Sequence, residues 1–101
     1  RDLLYVKDLI KFVDLAIKNQ ETYYELFNVG YGKAVKVKDV VKKIINHSGK
    51  NIKISHDLSK PTIPTSLFLD CSKAKKYLNW SPQTSLDEGI LKTLNWYIKN
   101  I

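Results

Sequence analysis

One cysteine, one arginine, four glycines and three prolines are all that this 101-residue sequence holds of four residue types that often carry special chemistry or geometry. With Cys71 alone, neither an intrachain disulfide nor a cysteine-based metal site can form, and the cytoplasm is the natural compartment. The four glycines, at positions 30, 32, 49 and 89, do not fall in the spacing of a phosphate-cradling loop. No apolar run approaches the roughly 20 residues of a membrane span, because stretches such as Val40-Val41-Lys42-Lys43-Ile44-Ile45 are broken by lysines. There is no signal-peptide layout and no initiator methionine. An opening on Arg1-Asp2-Leu3 in mid-pattern is expected of a piece of a longer chain.

What is present is ordinary globular material, 44% apolar and 27% charged, so disorder and repetitive fibrous classes are excluded. The length supports one domain at most. The formal net charge is +7, but apart from Arg1 the cations are lysines scattered along the chain. A nucleic-acid binder concentrates charge on one face and leans on arginine, so scattered lysine reads first as a solvated helix face. A stand-alone basic module for nucleic acid or another phosphate-bearing ligand is the rival reading, and a basic surface would steer such a ligand. His47 and His56 lie nine positions apart without metal-ligand spacing, as expected of surface histidines.

The pattern predicts strand Leu3–Val6, helix Lys7–Asn19, strand Tyr24–Val29, a turn at Gly30-Tyr31-Gly32 and an extended piece at Val35–Val37. Helix Lys38–Ser48 follows, stopped by Gly49, then strand Asn51–Ser55. Pro61 and Pro64 forbid a helix through residues 57–70, which read as an ordered loop or extended arm. A short helix Ser72–Leu78 with Ser72 as N-cap precedes a last helix, from the capping box Ser85-Leu86-Asp87-Glu88 to about Asn100. The fold class is thus α/β (an α+β fragment), with short strands and about four helices. Leu3–Val6 and Tyr24–Val29 suit a sheet covered on both faces, yet too few strands are present to build one. Open strand edges make a homodimer or strand-swapped dimer an expected state of the isolated chain.

No nucleophile–base set or carboxylate pair stands out, so no catalytic residue is assigned. Gly30-Tyr31-Gly32 lacks the third glycine of a dinucleotide loop, with valine at position 35. The candidate chemistry is anion binding. Arg1 precedes a strand and Lys60 lies in the proline-held arm. If the two converge on a diphosphate, charge-assisted bonds of about 1.5–3 kcal/mol each follow. Otherwise Arg1 is a frayed terminus and Lys60 a solvated lysine.

Arg1-Asp2-Leu3-Leu4-Tyr5-Val6-Lys7-Asp8-Leu9 resembles the RDF-hydrophobic-YV-x-DL segment of the extended short-chain dehydrogenase/reductase family, the NAD-dependent nucleotide-sugar epimerases and dehydratases. Phe27-Asn28-Val29-Gly30-Tyr31-Gly32 is similar to the family's YN-hydrophobic-G-x-G strand end. Lys60-Pro61 through Leu69-Asp70 resembles the arm of the GDP-fucose synthase-like branch, with Ile63 where that pattern has glycine. Ser72-Lys73-Ala74, Leu78-Asn79-Trp80-Ser81-Pro82 and Ser85–Ile90 resemble the family's ending, with Asn79 in place of glycine. The match is collinear over essentially the whole chain.

The resemblance implies the C-terminal part of an extended Rossmann-type enzyme. Residues 1–32 would belong to the parent nucleotide-cofactor sheet, and residues 33–101 would form a small nucleotide-sugar-binding domain. Arg1 would contact the substrate diphosphate, Lys60 the nucleotide moiety, and Lys33 to Val35 would run past the base. The partners implied are a nucleotide-diphosphate sugar and the protein's own Rossmann domain, with no membrane and no nucleic acid. NAD or NADP would bind in the full-length protein and not to this chain. The family's cofactor loop and its Tyr-x-x-x-Lys pair would lie upstream.

Overall fold

The computed structural model describes residues 1–101, and its regular structure is four α-helices: α1 (Val6–Asn19), α2 (Val37–Ser48), α3 (Ser72–Leu78) and α4 (Leu86–Asn100). Each arises where apolar residues recur at i, i+3 and i+4, so that one stripe can leave water. The stops are local. Gly49 adopts φ 67° at the end of α2 and Asn79 φ 51° at the end of α3. Both are left-handed C-caps that glycine and asparagine tolerate better than other residues. At the start of α4, the Ser85 hydroxyl accepts the Glu88 N–H at 3.2 Å. Only that half of the capping box forms, because the Glu88 carboxylate pairs with Lys92 at 2.6 Å.

The helix bounds agree with the periodicity to within about one residue. The cap of α3 does not: Cys71 occupies the N-cap position, and the Asp70 carboxylate accepts the Ser72 N–H at 3.0 Å. Asp70 reaches forward to the first turn, and Ser72 is the first helical residue.

The expected strands are a larger correction. Leu3–Val6, Tyr24–Val29, Val35–Val37 and Asn51–Ser55 form no sheet, and Val6 and Val37 instead open helices. Helices close their hydrogen bonds within the segment, whereas a strand needs a second segment alongside, about 4.8 Å away. Residues 24–29 keep strand-like alternation, with Glu25, Phe27 and Val29 partly buried and Tyr24, Leu26 and Asn28 exposed. One fragment of ladder exists. Arg1 and Val35 exchange both backbone bonds, at 2.7 and 2.8 Å, as a closely spaced antiparallel pair does.

α1 packs on α3, and α2 packs on α4. The core is Ala74, Leu78 and Trp80, surrounded by Leu4, Phe12, Leu15, Ala16, Phe27 and Val29. Phe12 meets Phe27 and Trp80 edge-on at 5.5 and 5.8 Å. The Trp80 indole N–H donates to the Asp8 carbonyl at 2.9 Å. The second pair is joined at Asp87, which takes Lys43 at 2.7 Å and His47 at 3.1 Å.

Much apolar surface is left in water. Leu9, Ile10, Val13 and Ile17 form an exposed stripe on α1, and Tyr24, Leu26, Trp96 and Ile98 are exposed as well. The accessible surface of 8453 Å² exceeds by about 2,500 Å² what a monomeric protein of this mass presents. The radius of gyration, 16.6 Å, compares with about 13 Å for a self-contained domain of 100 residues. These faces have the character of surfaces made to be covered.

Candidate functional site

The first two residues hold together the segments that the sequence singles out. Arg1 is paired through its backbone with Val35, and its guanidinium donates to the Thr65 carbonyl of the arm at 3.0 Å. Arg1, Val35 and the arm therefore meet at one place. One N–H of the guanidinium is committed to Thr65, out of five donors in the group, so most of its capacity for oxygen ligands remains. Lys33 lies two residues before Val35 and is exposed. Lys60 is exposed and closes a local turn, its N–H bonding the Asp57 carbonyl at 3.4 Å. No hydrogen bond or ion pair links Lys60 or Lys33 to Arg1, so the four candidates form one joined pair and two free lysines on the adjoining segments.

The residue that sequence reasoning passed over is Asp2. Its carboxylate accepts three backbone N–H groups: Tyr31 at 2.6 Å, Gly32 at 2.9 Å and Leu69 at 3.1 Å. Burial by itself would raise the Asp2 carboxyl. The bonds from Leu69, Tyr31 and Gly32 outweigh it and hold the group below its ordinary value. The two glycines of the turn serve different needs. Gly32 has φ 79°, while a Cβ at Gly30 would come within 2.9 Å of both Asp2 oxygens. One glycine is required by backbone conformation and the other by room for the carboxylate.

The same bonds decide what the turn can hold. The Tyr31 and Gly32 N–H groups, which in a phosphate cradle would face the ligand, are spent on Asp2. These residues therefore do not fit a dinucleotide pyrophosphate, and no cofactor-dependent step is derived from them. Cys71 is equally unsuited to chemistry. Burial pushes its thiol up, with Asp2 and Asp70 adding to that against a hydrogen bond to the Gly30 carbonyl, so the thiolate that reacts is disfavoured.

The lysines do not form a single basic face. Lys18, Lys43, Lys73 and Lys92 are each paired with a carboxylate on the surface. Lys73 also holds the 25–27 segment to α3, with its ammonium 2.8 Å from the Leu26 carbonyl and 5.0 Å from the Phe27 ring centroid. No group of histidine, cysteine and carboxylate side chains could hold a metal ion, and no helix is long and apolar enough to cross a membrane.

Comparison with known proteins matches the chain to one family. The GDP-mannose 4,6 dehydratase family profile matches residues 1–93. A UDP-glucuronate 4-epimerase of Thermodesulfobacterium geofontis is 32% identical over 103 residues, covering 100% of this chain and 31% of that protein. GDP-L-fucose synthase 1 of Arabidopsis thaliana is 31% identical over 106 residues, covering 100% of this chain and 31% of its own length. Among solved structures, UDP-glucose 4-epimerase from Bifidobacterium longum, in complex with NAD+ and UDP, superposes with a TM-score of 0.87 at 29% identity. That match covers 99% of this chain and 30% of the epimerase. The chain thus spans about a third of the length of the relatives it matches.

Proposed function

This chain belongs to the GDP-mannose 4,6 dehydratase family, and from that premise we propose that it is the nucleotide-sugar-binding part of an NAD(P)-dependent sugar-nucleotide epimerase or dehydratase. In the full-length protein it would clamp the nucleotide diphosphate so that the sugar reaches a nicotinamide held by a Rossmann domain. This is catalysis by positioning, with the hydride chemistry belonging to the cofactor. Arg1 would bind the diphosphate, Lys60 the nucleotide moiety, and Lys33 to Val35 would border the base. The binding of NAD+ and UDP by the B. longum epimerase supports the choice of ligands. Residues 24–29 would pair with the Rossmann sheet, or with a second copy where that sheet is missing, and the single thiol suits a cytoplasmic protein.

The observation that carries the reading is the meeting of Arg1 with Val35 and with the Thr65 carbonyl of the arm. It supports a diphosphate site at that junction, with most guanidinium donors uncommitted. The nucleic-acid reading lacks such support, since paired and dispersed lysines give no continuous stripe. Titration of UDP-glucose, GDP-mannose and dTDP-glucose into the full-length protein tests the assignment. Loss of charge-assisted bonds worth about 1.5–3 kcal/mol predicts that Arg1→Ala weakens the best ligand roughly 10- to 150-fold. Unchanged affinity in that variant would refute the diphosphate role.

A further inference from the structure

The arm has few anchors. From residue 51 to residue 69, the hydrogen bonds that reach distant parts of the chain go to two residues, Arg1 through Thr65 and Asp2 through Leu69, beside a local one from the Cys71 thiol to the Leu69 carbonyl at 3.7 Å. Residues 51–68 are exposed throughout, so none of them is enclosed in the core. The Gly30–Gly32 turn, which leads into Lys33 and Val35, is held by the same Asp2 carboxylate. One side chain thus joins the backbone segments that carry three of the proposed ligand residues, and it neighbours the fourth in sequence.

We propose that Asp2 is the positioning residue of the nucleotide-sugar site, setting the arm and the 31–35 turn at a fixed separation around Arg1. The inference rests on the proposed nucleotide-sugar function and deepens it. Asp2 does not touch the ligand. It acts through the three N–H groups it collects, and the geometry makes the carboxylate hard to replace. Oδ2 takes Gly32 and Leu69, while Oδ1 takes Tyr31. An asparagine oriented for Gly32 and Leu69 turns its NH2 against the Tyr31 N–H. Flipped, it faces two donors with a third. A separate handle exists at Gly30, where an added Cβ meets Asp2 atoms first, at 2.9 to 3.0 Å, and its backbone is not in the left-handed region. Gly30→Ala should therefore act through Asp2.

The experiment measures affinity for UDP-glucose, GDP-mannose and dTDP-glucose, and separately for NAD+, in the full-length protein. The variants are Asp2→Asn, Asp2→Ala, Gly30→Ala and Asp2→Ala/Gly30→Ala. Asp2→Asn and Gly30→Ala are each expected to raise the nucleotide-sugar Kd and KM about tenfold, the scale of one misplaced hydrogen bond to the ligand, with NAD+ affinity and kcat at saturation within about threefold. In the Asp2→Ala background, Gly30→Ala should add nothing further, because the clashing carboxylate is gone. Nucleotide-sugar Kd within twofold of the parent in both single variants overturns the inference. So does a parallel loss of NAD+ and sugar affinity, which marks a merely structural role. If Asp2→Asn does not fold, Gly30→Ala and the double variant still decide. If the parent protein binds none of the three sugars, the proposed function itself falls, an outcome distinct from binding that the variants leave intact.

Discussion

Replacing Trp80 by phenylalanine should destabilise the protein by about 2–3 kcal/mol, and the components can be assigned. The side chain is 2% exposed, so its indole N–H bond to the Asp8 carbonyl at 2.9 Å is not exchanged for water. Losing that bond costs about 1 kcal/mol. The smaller ring also leaves two carbons' worth of space at about 0.8 kcal/mol each, part of it recovered if Phe12, edge-on at 5.8 Å, moves in. Trp80→Ala removes the aromatic pairing too and should cost about 4–5 kcal/mol. Trp96 is 63% exposed, and Trp96→Phe should stay within about 0.5 kcal/mol of the parent. Urea unfolding followed by the far-UV circular dichroism of the four helices measures each difference, because replacing Trp80 removes its own fluorescence. A Trp80→Phe value within about 0.5 kcal/mol of the parent would refute the view that this hydrogen bond and ring hold α1 to α3.

Two further perturbations address the helix ends. Asn79 sits at φ 51°, so Asn79→Ala should lower stability by about 1 kcal/mol while Asn79→Gly leaves it level or raises it, as thermal unfolding would show. Asp87 joins α2 to α4, and hydrogen bonds from Lys43 and then His47 hold its carboxyl below the ordinary value of 3.8. Its contribution is therefore present above that value and disappears as pH falls through the lower folded one. Asp87→Asn should reduce the urea midpoint at pH 7, less so in 1 M salt and not at all once the parent carboxylate is protonated. Equal effects in low and high salt would refute the ionic account.

The helices were legible in the sequence because a helix is a local object. The repeat Val37, Val40, Val41, Ile44, Ile45 and the stop at Gly49 both lie inside the segment they describe, and α2 ends where they say. The strands were not legible in the same way. Tyr24–Val29 has the composition of a strand and the alternating burial of one, but a ladder is a property of two segments. Only the Arg1–Val35 pair supplies a second. The exposed stripe Leu9, Ile10, Val13 and Ile17 on α1 shows the same thing in helical form. The sequence writes apolar faces for all its neighbours, and these 101 residues cover only some of them.

The site divides along the same line. Arg1 and Lys60 could be noticed because a lone arginine and a proline-held lysine are unusual by themselves. Asp2 could not, since a carboxylate that collects backbone N–H groups leaves no periodic trace: its partners lie 29, 30 and 67 residues away. The visible sign is the pair of glycines at 30 and 32, which by themselves spell a turn. A turn requiring left-handed backbone accounts for Gly32, whose φ is 79°, and leaves Gly30 unexplained. That remainder is the usable clue. A glycine with no conformational need for being one implies that something approaches its backbone closely, and here the approaching group is the Asp2 carboxylate. Asp2 and Gly30 thus form one steric unit, and Arg1, the residue proposed to touch the ligand, is the next residue along the chain from that carboxylate.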